Sequence, residues 1–261
     1  MVATENNMGN EPSSVEENPS NETNKPHWGN RLMMRTGDAL SWLFPILMVA
    51  IVSQVLLRKA GINQAWLDDA QWWIYGVAVL TGFGYAVTTN SHVRVDIFYA
   101  NFSTLKKTRI EIFGLGWLFL PFLILMADIT LHYAIASWIA REGSDSPNGL
   151  HRLYILKCAI PILFTMAIIA TYAKLHDNIS KFYSLHKYNL ILATFPAVWF
   201  FVERVTYYSL WWYIRINDPS IHPRRIAKEP ILEDTMWFGL VIVVLIAAVS
   251  LWNNRTNSVE K

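Results

Sequence analysis

Five apolar runs dominate the chain, and each is long enough to cross a bilayer as a helix. The runs cover residues 39–57, 72–89, 112–140, 153–173 and 236–252. A spanning helix needs about 20 mostly apolar residues. Continuous runs of this length are unlike the short alternating strands of a membrane β-barrel. The pattern therefore predicts an all-α integral membrane protein.

A sixth run, residues 188–214, is apolar at both ends but carries Glu203 and Arg204 near its middle. This run either crosses the membrane, or it lies flat on the membrane or re-enters it. Because Pro196 is tolerated in membrane helices and Trp211 suits a membrane interface, we expect the run to span. The chain then consists of a four-helix membrane domain over 31–187 and a C-terminal extension over 188–261 with one or two further spanning helices.

The start of the chain has the opposite character. Residues 1–26 hold five Glu and one Lys and have very few apolar side chains to bury, so we expect residues 1–30 to form a disordered acidic tail. A signal peptide would instead need a basic start followed by an apolar run. The flanks of the first four runs carry nine Lys and Arg on the side of the tail and four on the other. This asymmetry predicts a cytoplasmic N-terminus.

Composition supports a lipid-facing surface. The chain is 53% apolar and 16% charged, against about 25% charged residues in ordinary soluble domains. Its net charge of +2 combines the acidic tail with a basic remainder, and its 12 Trp suit membrane interfaces. A single cysteine, Cys158, excludes an intramolecular disulfide framework and a multi-cysteine zinc site. These features disfavour a nucleic-acid-binding protein and a secreted mini-protein.

Ionisable residues inside the apolar runs are the first candidates for chemistry. Asp128 and His132 are four residues apart and share a helix face; they form either a proton or cation relay or, the alternative we favour, a pair hydrogen-bonded to neighbouring helices. Glu203 and Arg204 are adjacent, so we expect them to face different partners rather than each other. Only His132 lies clearly inside a strong apolar run, which disfavours haem. We predict no catalytic, metal, substrate or cofactor site.

Three polar clusters flank the membrane runs. The first is the acidic pair Asp68 and Asp69, before the second run. The second is the sequence His-Val-Arg-Val-Asp-Ile-Phe-Tyr-Ala after it, with His92, Arg94 and Asp96. The third is Arg-Glu-Gly-Ser, which begins at Arg141 and Glu142, followed by Leu-Lys-Cys-Ala-Ile-Pro with Lys157 and Pro161. Each cluster alone is typical of a helix cap or an interface anchor.

Taken together and in this order, the clusters resemble the small membrane subunit of the tripartite ATP-independent periplasmic (TRAP) transporters, the DctQ-like family. The resemblance covers roughly residues 37–173, with four helices at the family's spacing, and the sequence that begins at His92 is its most specific motif. Nearly ninety residues follow the fourth helix, and the resemblance does not account for them.

The resemblance implies a scaffold subunit in a bacterial inner membrane. Its partners would be a DctM-like large membrane subunit and a DctP-like periplasmic substrate-binding protein, and the complex would import a small organic acid with sodium. Such a subunit is not an enzyme, and the cluster residues would be structural or would contact the partner. The alternatives are a membrane-anchoring or haem-binding subunit of a redox complex, and a membrane interaction protein unconnected with transport.

Overall fold

The computed structural model describes residues 27–89, 91, 101–182 and 187–259. In these ranges the chain forms helices and connecting loops and no strand, so the prediction of an all-α protein is confirmed. The helices are α1 (Trp28–Ser41), α2 (Leu43–Lys59), α3 (Ala65–Thr89), α4 (Thr104–Phe113), α5 (Leu120–Ala140), α6 (Leu153–Phe182), α7 (Lys187–Ala193), α8 (Phe195–Asn217), α9 (Pro223–Ile226), α10 (Pro230–Glu233) and α11 (Thr235–Val259). Residues 1–26 of the predicted tail lie outside the described part.

Four helical stretches of the described chain are long and apolar enough to cross a membrane. They are Trp28–Lys59, Thr104–Ala140, Leu153–Ser180 and Thr235–Trp252, and they contain four of the five predicted runs. The remaining run, 72–89, forms most of α3. It is helical as expected, but its Trp, Tyr, Gly and Thr residues make it less apolar than the other four.

The sixth run, 188–214, is divided between α7 and α8 at Thr194 rather than forming one helix. The Thr194 backbone N–H still bonds to the Leu190 carbonyl at 3.0 Å, and α8 then begins with Pro196 in its first turn. Proline fits a helix start because its missing N–H has no partner to lose there. Neither helix is among the four apolar stretches, and α8 carries charged residues in its middle.

Helices α3, α5 and α6 share the best-packed part of the interior. Leu123 of α5 packs with Phe164 and Ala167 of α6, and Leu80 of α3 lies against this group. On the other side of α6, α1 approaches closely at Gly29, where an added Cβ would lie 3.0 Å from Ile169. Close helix packing at small residues is typical of membrane bundles.

A π-helical turn, Gly114–Phe119, joins α4 to α5 and contacts the end of α7. Gly116 lies directly against the Ala193 carbonyl, which a Cβ at this position would overlap. The indole N–H of Trp117 donates a hydrogen bond to the Leu192 carbonyl at 3.2 Å. Such turns insert one extra residue and change which side chains face a neighbour. Through these two contacts, the turn packs against the start of the C-terminal extension.

Helix α8 runs beside α5 in the same direction. Trp117 bonds to Leu192 just before α8, and His132, fifteen residues later, bonds to Tyr208 near its middle. The pairs are separated by 75 and 76 residues, so the two helices advance in parallel. Helix α11 then packs on α8 at Gly239, where an added Cβ would lie 3.0 Å from Glu203.

Candidate functional site

Two of the three predicted clusters meet where α5 ends and α6 begins. The Asp69 carboxylate on α3 accepts a hydrogen bond from the Leu150 backbone N–H at 3.0 Å. Gly149 packs beside it so tightly that a Cβ would overlap Ser144 and crowd Asp69. We call this contact region, formed by α3, the loop 141–152 and the start of α6, the outer cluster, after the side of the membrane that the sequence predicts for it. It fixes the loop to a helix that lies 81 residues earlier in the chain.

An ion pair closes the other side of the outer cluster. The Lys157 ammonium lies 2.5 Å from the Glu142 carboxylate, and the Lys157 side chain is only 6% exposed. The ammonium also lies 4.4 Å from the centre of the Tyr133 ring, a favourable cation–π position. Arg141 ends α5 in the left-handed conformation, with φ of 48°. This C-cap turns the chain and brings Glu142 to the start of α6.

Acid is expected to loosen the outer cluster. The hydrogen bond from Lys157 lowers the pKa of Glu142 below 4.5. A carboxylate with a lowered folded-state pKa contributes stability above its ordinary pKa and loses it as the pH falls through the folded value. The unfolding temperature in detergent should therefore drop below about pH 4.5 more steeply for the wild type than for Glu142→Gln. Identical pH profiles for the two proteins would contradict this role for Glu142.

The remaining predicted residues are separated along the chain. Asp68 connects α3 to α2, because it accepts a hydrogen bond from Gln54 and lies 3.2 Å from Arg58. Pro161 lies inside α6, and its carbonyl accepts a hydrogen bond from Thr165 at 2.8 Å. The second cluster, with His92, Arg94 and Asp96, lies outside the described residues. The neighbours Asp68 and Asp69 thus connect α3 to two different parts of the chain.

A second polar group lies between α5, α8 and α11. The Tyr208 hydroxyl donates to the Asp128 carboxylate at 2.5 Å and is 2.5 Å from the His132 ring nitrogen. Arg204 lies 3.8 Å from Asp128, and the Thr235 hydroxyl donates to Glu203 at 3.0 Å. We call these residues the intramembrane network: Asp128, His132, Glu203, Arg204, Tyr208 and Thr235. Asp128 is twelve residues from the end of α5, or about 18 Å along the axis.

One prediction for this region is wrong. Glu203 and Arg204 were expected to have separate partners, but two Arg204 nitrogens lie 2.6 Å from the two Glu203 oxygens. Adjacent side chains leave a helix at different angles, yet the long arginine folds back along the helix surface and places its planar group against the neighbouring carboxylate. Asp128 and His132 are hydrogen-bonded to a neighbouring helix, which agrees with the alternative favoured from the sequence.

Tyr208 is the residue that sequence reasoning missed. It follows Arg204 by four residues, just as His132 follows Asp128. On two parallel helices, polar residues at the same spacing can meet, as Asp128 and His132 meet Arg204 and Tyr208. This shared spacing of four residues was the signal in the sequence that could have identified Tyr208. Among the described residues, no group of three or more His, Cys, Asp or Glu is arranged to hold a metal ion.

The apolar helices and the outer cluster fit a known transporter component. The sequence model of the DctQ component of tripartite ATP-independent periplasmic transporters matches residues 47–180, slightly more than half of the chain. The chain belongs to the DctQ family. No curated protein and no solved structure shows a match to it. The resemblance identified from the polar clusters is therefore confirmed, and the protein is a TRAP transporter component.

The match divides the chain into two parts. The matched segment, which we call the DctQ core, begins inside α2 and ends near the end of α6, so it contains the whole outer cluster. Asp128 and His132 also belong to the DctQ core, whereas Glu203, Arg204, Tyr208 and Thr235 lie in the C-terminal extension. The intramembrane network therefore joins the family's shared fold to the part of the chain outside the match.

Proposed function

We propose that this DctQ protein is the fixed scaffold subunit of a sodium-coupled importer of a small organic acid. It works beside a DctM-like large subunit, which carries the substrate and sodium sites, and receives substrate through a DctP-like binding protein. The observation that carries the proposal is the pairing of its polar residues. Glu142 pairs with Lys157, and Arg204 pairs with Glu203 and lies beside Asp128. These charges have their ionic partners within the chain, as in a structural element.

The paired charges distinguish a scaffold from a transport pathway. A secondary transporter binds its substrate and ions near mid-membrane, on broken helices whose backbone groups point into the site. Asp128 and Arg204 lie within the helices α5 and α8, but each is engaged by a neighbouring helix of the same chain. The same pairing argues against the redox alternative, because the His132 nitrogen suited to an axial ligand faces the Tyr208 hydroxyl.

The proposal includes a topology for the chain. We place the N-terminus in the cytoplasm, because the flanks of the first four apolar runs carry nine Lys and Arg on that side and four on the other. Helix α8 then crosses outward beside α5, since the two helices are in contact and parallel. Helix α11 returns inward, and the C-terminus lies in the cytoplasm.

Labelling of residue 220 tests this topology. In a Cys158→Ser background, Ser220→Cys should react with a membrane-impermeant maleimide added to intact spheroplasts, because residue 220 follows the outer end of α8. A matched Thr104→Cys variant, at the start of α4, should react only after the membrane is opened. Labelling of residue 220 only after opening would show that α8 does not cross outward.

Co-purification tests the scaffold role itself. The chain should be recovered in a stable complex when it is co-expressed with the large membrane subunit of its transporter, and the large subunit should aggregate or be degraded without it. Recovery of a stable large subunit in the absence of this chain would contradict the proposal. A visible absorption band from the purified chain would instead favour the haem-binding alternative.

A further inference from the structure

Helix α11 begins beside the middle of α8 rather than beside its outer end. The Thr235 hydroxyl, at the start of α11, donates to Glu203 at 3.0 Å, and Gly239 one turn later packs on the same residue. Glu203 precedes Asn217, the last residue of α8, by fourteen residues, or about 21 Å along the axis. Residues 218–234 must therefore return along α8 toward its middle before α11 begins. We call them the re-entrant link.

The inner end of the re-entrant link lies at membrane depth. Tyr208 bonds to His132, and nine further residues along each of these parallel helices bring Asn217 level with Arg141, where the apolar run 112–140 ends. That run is about 43 Å long as a helix, about 13 Å more than the hydrocarbon layer. Even with this whole excess outside the layer, a point about 21 Å below the end of α8 lies about 8 Å inside it.

The re-entrant link is irregular and charged. Apart from the two four-residue helices α9 and α10, it consists of turns and bends. Both short helices contact α8, and each contributes one buried apolar side chain, Ile226 and Leu232. Over residues 225–234, the exposed charged side chains are Arg225, Lys228, Glu233 and Asp234. The two carboxylates come directly before Thr235, so they lie near the depth at which α11 begins.

Lipid is a poor cover for the exposed side of the re-entrant link. Hydrocarbon offers no partner to free backbone groups, so irregular backbone at membrane depth is found only where it is buried in protein or lines a water-filled cavity. Exposed carboxylates at such a depth are costly as well. Within the described part of the chain this side is open, so a water-filled cavity would also need a second protein as its far wall. Either arrangement places a membrane protein opposite the link.

From these features we infer that the re-entrant link is the surface through which the C-terminal extension contacts the large membrane subunit. The inference rests on the proposed function, which supplies a membrane partner for the chain. A soluble binding protein docks above the membrane and does not reach the depth of Glu233.

A second copy of this chain fits the exposed side less well. Copies inserted in the same direction are related by an axis along the membrane normal, so residues of equal depth meet across the interface. Glu233 and Asp234 would then face the same two carboxylates of the copy. The surface that fits them carries a cation or hydrogen-bond donors at this depth, and we assign it to the large subunit.

Photocrosslinking tests the inference without altering the charges of the link. The photoreactive amino acid p-benzoylphenylalanine takes the place of Ile231, which is about half exposed, in the full chain co-expressed with the large membrane subunit. Illumination of the membranes should join the two chains. A crosslink only to a second copy of this chain or to lipid, or no crosslink within an intact complex, would overturn the inference.

A charge variant provides a second measurement. Glu233→Lys combined with Asp234→Lys should lower the amount of large subunit that co-purifies with the chain at least fivefold. The matched control is Asp218→Lys, at an exposed carboxylate beside the outer end of α8, which should retain the wild-type amount. Equal recovery with all three chains would overturn the inference and leave the proposed function standing. Failure of the wild-type chain to bind the large subunit would instead contradict both.

Discussion

Replacing Arg204 with Met is expected to detach the C-terminal extension from the DctQ core. The guanidinium pairs with Glu203 and lies beside Asp128, and Glu203 is buried. Without it, the two carboxylates keep their hydroxyl donors but have no cation beside them among the described residues. Breaking a buried pair in this way costs about 3–5 kcal/mol. The readouts are a lower unfolding temperature in detergent and faster trypsin cleavage within residues 218–234.

A double variant separates charge from packing as the cause. If the unpaired carboxylate is responsible, Arg204→Met combined with Glu203→Gln should recover much of the lost stability, because the amide removes one uncompensated charge. The unfolding temperature of Arg204→Lys should fall between those of Arg204→Met and the wild type, since an ammonium keeps the charge but lacks the planar two-pronged geometry. An unfolding temperature for Arg204→Met equal to that of the wild type would show that the intramembrane network does not hold the extension.

Gly116→Ala is expected to have the second largest effect. Its added Cβ would overlap the Ala193 carbonyl oxygen, and a backbone atom cannot move aside as a side-chain tip does. The π-helical turn and the end of α7 must separate, which breaks the Trp117–Leu192 hydrogen bond. Overpacking of this kind costs about 1–3 kcal/mol. Thermal unfolding monitored by Trp fluorescence measures the loss.

The same turn offers a matched control for this prediction. Gly114 lies two residues earlier, and a Cβ there would meet no atom within 4 Å. Gly114→Ala should therefore be neutral or slightly stabilising, because alanine has the higher helix propensity. Equal destabilisation by the two substitutions would mean that the turn itself, and not its contact with Ala193, is sensitive to a side chain.

The apolar pattern predicted the fold class because hydrocarbon requires long, continuous apolar helices. It was less reliable where other forces determine helix ends. The break at Thr194 depends on Pro196 and on the contact with Gly116, and apolar runs do not report such contacts. The pairing of Arg204 with its neighbour Glu203 was missed for a similar reason. The position of a residue on a helix determines where its side chain begins, but not where the charged end of a long, flexible side chain lies.

The polar clusters predicted the outer cluster only in part. Asp69, Glu142 and Lys157 were each identified from their positions beside membrane runs, and the structure brings them to one end of the bundle. Their particular partners were not predictable, because a backbone N–H such as that of Leu150 has no sequence signal. The intramembrane network required the relative position of α5 and α8, which depends on packing over the whole helix length.

The central claim is that the chain supports transport without carrying the substrate. Sodium-driven uptake into proteoliposomes, with the substrate-binding protein supplied outside, tests it most directly. We predict uptake only when this chain and the large membrane subunit are reconstituted together, and none from this chain alone. Uptake by this chain alone, or undiminished uptake by the large subunit without it, would contradict the account.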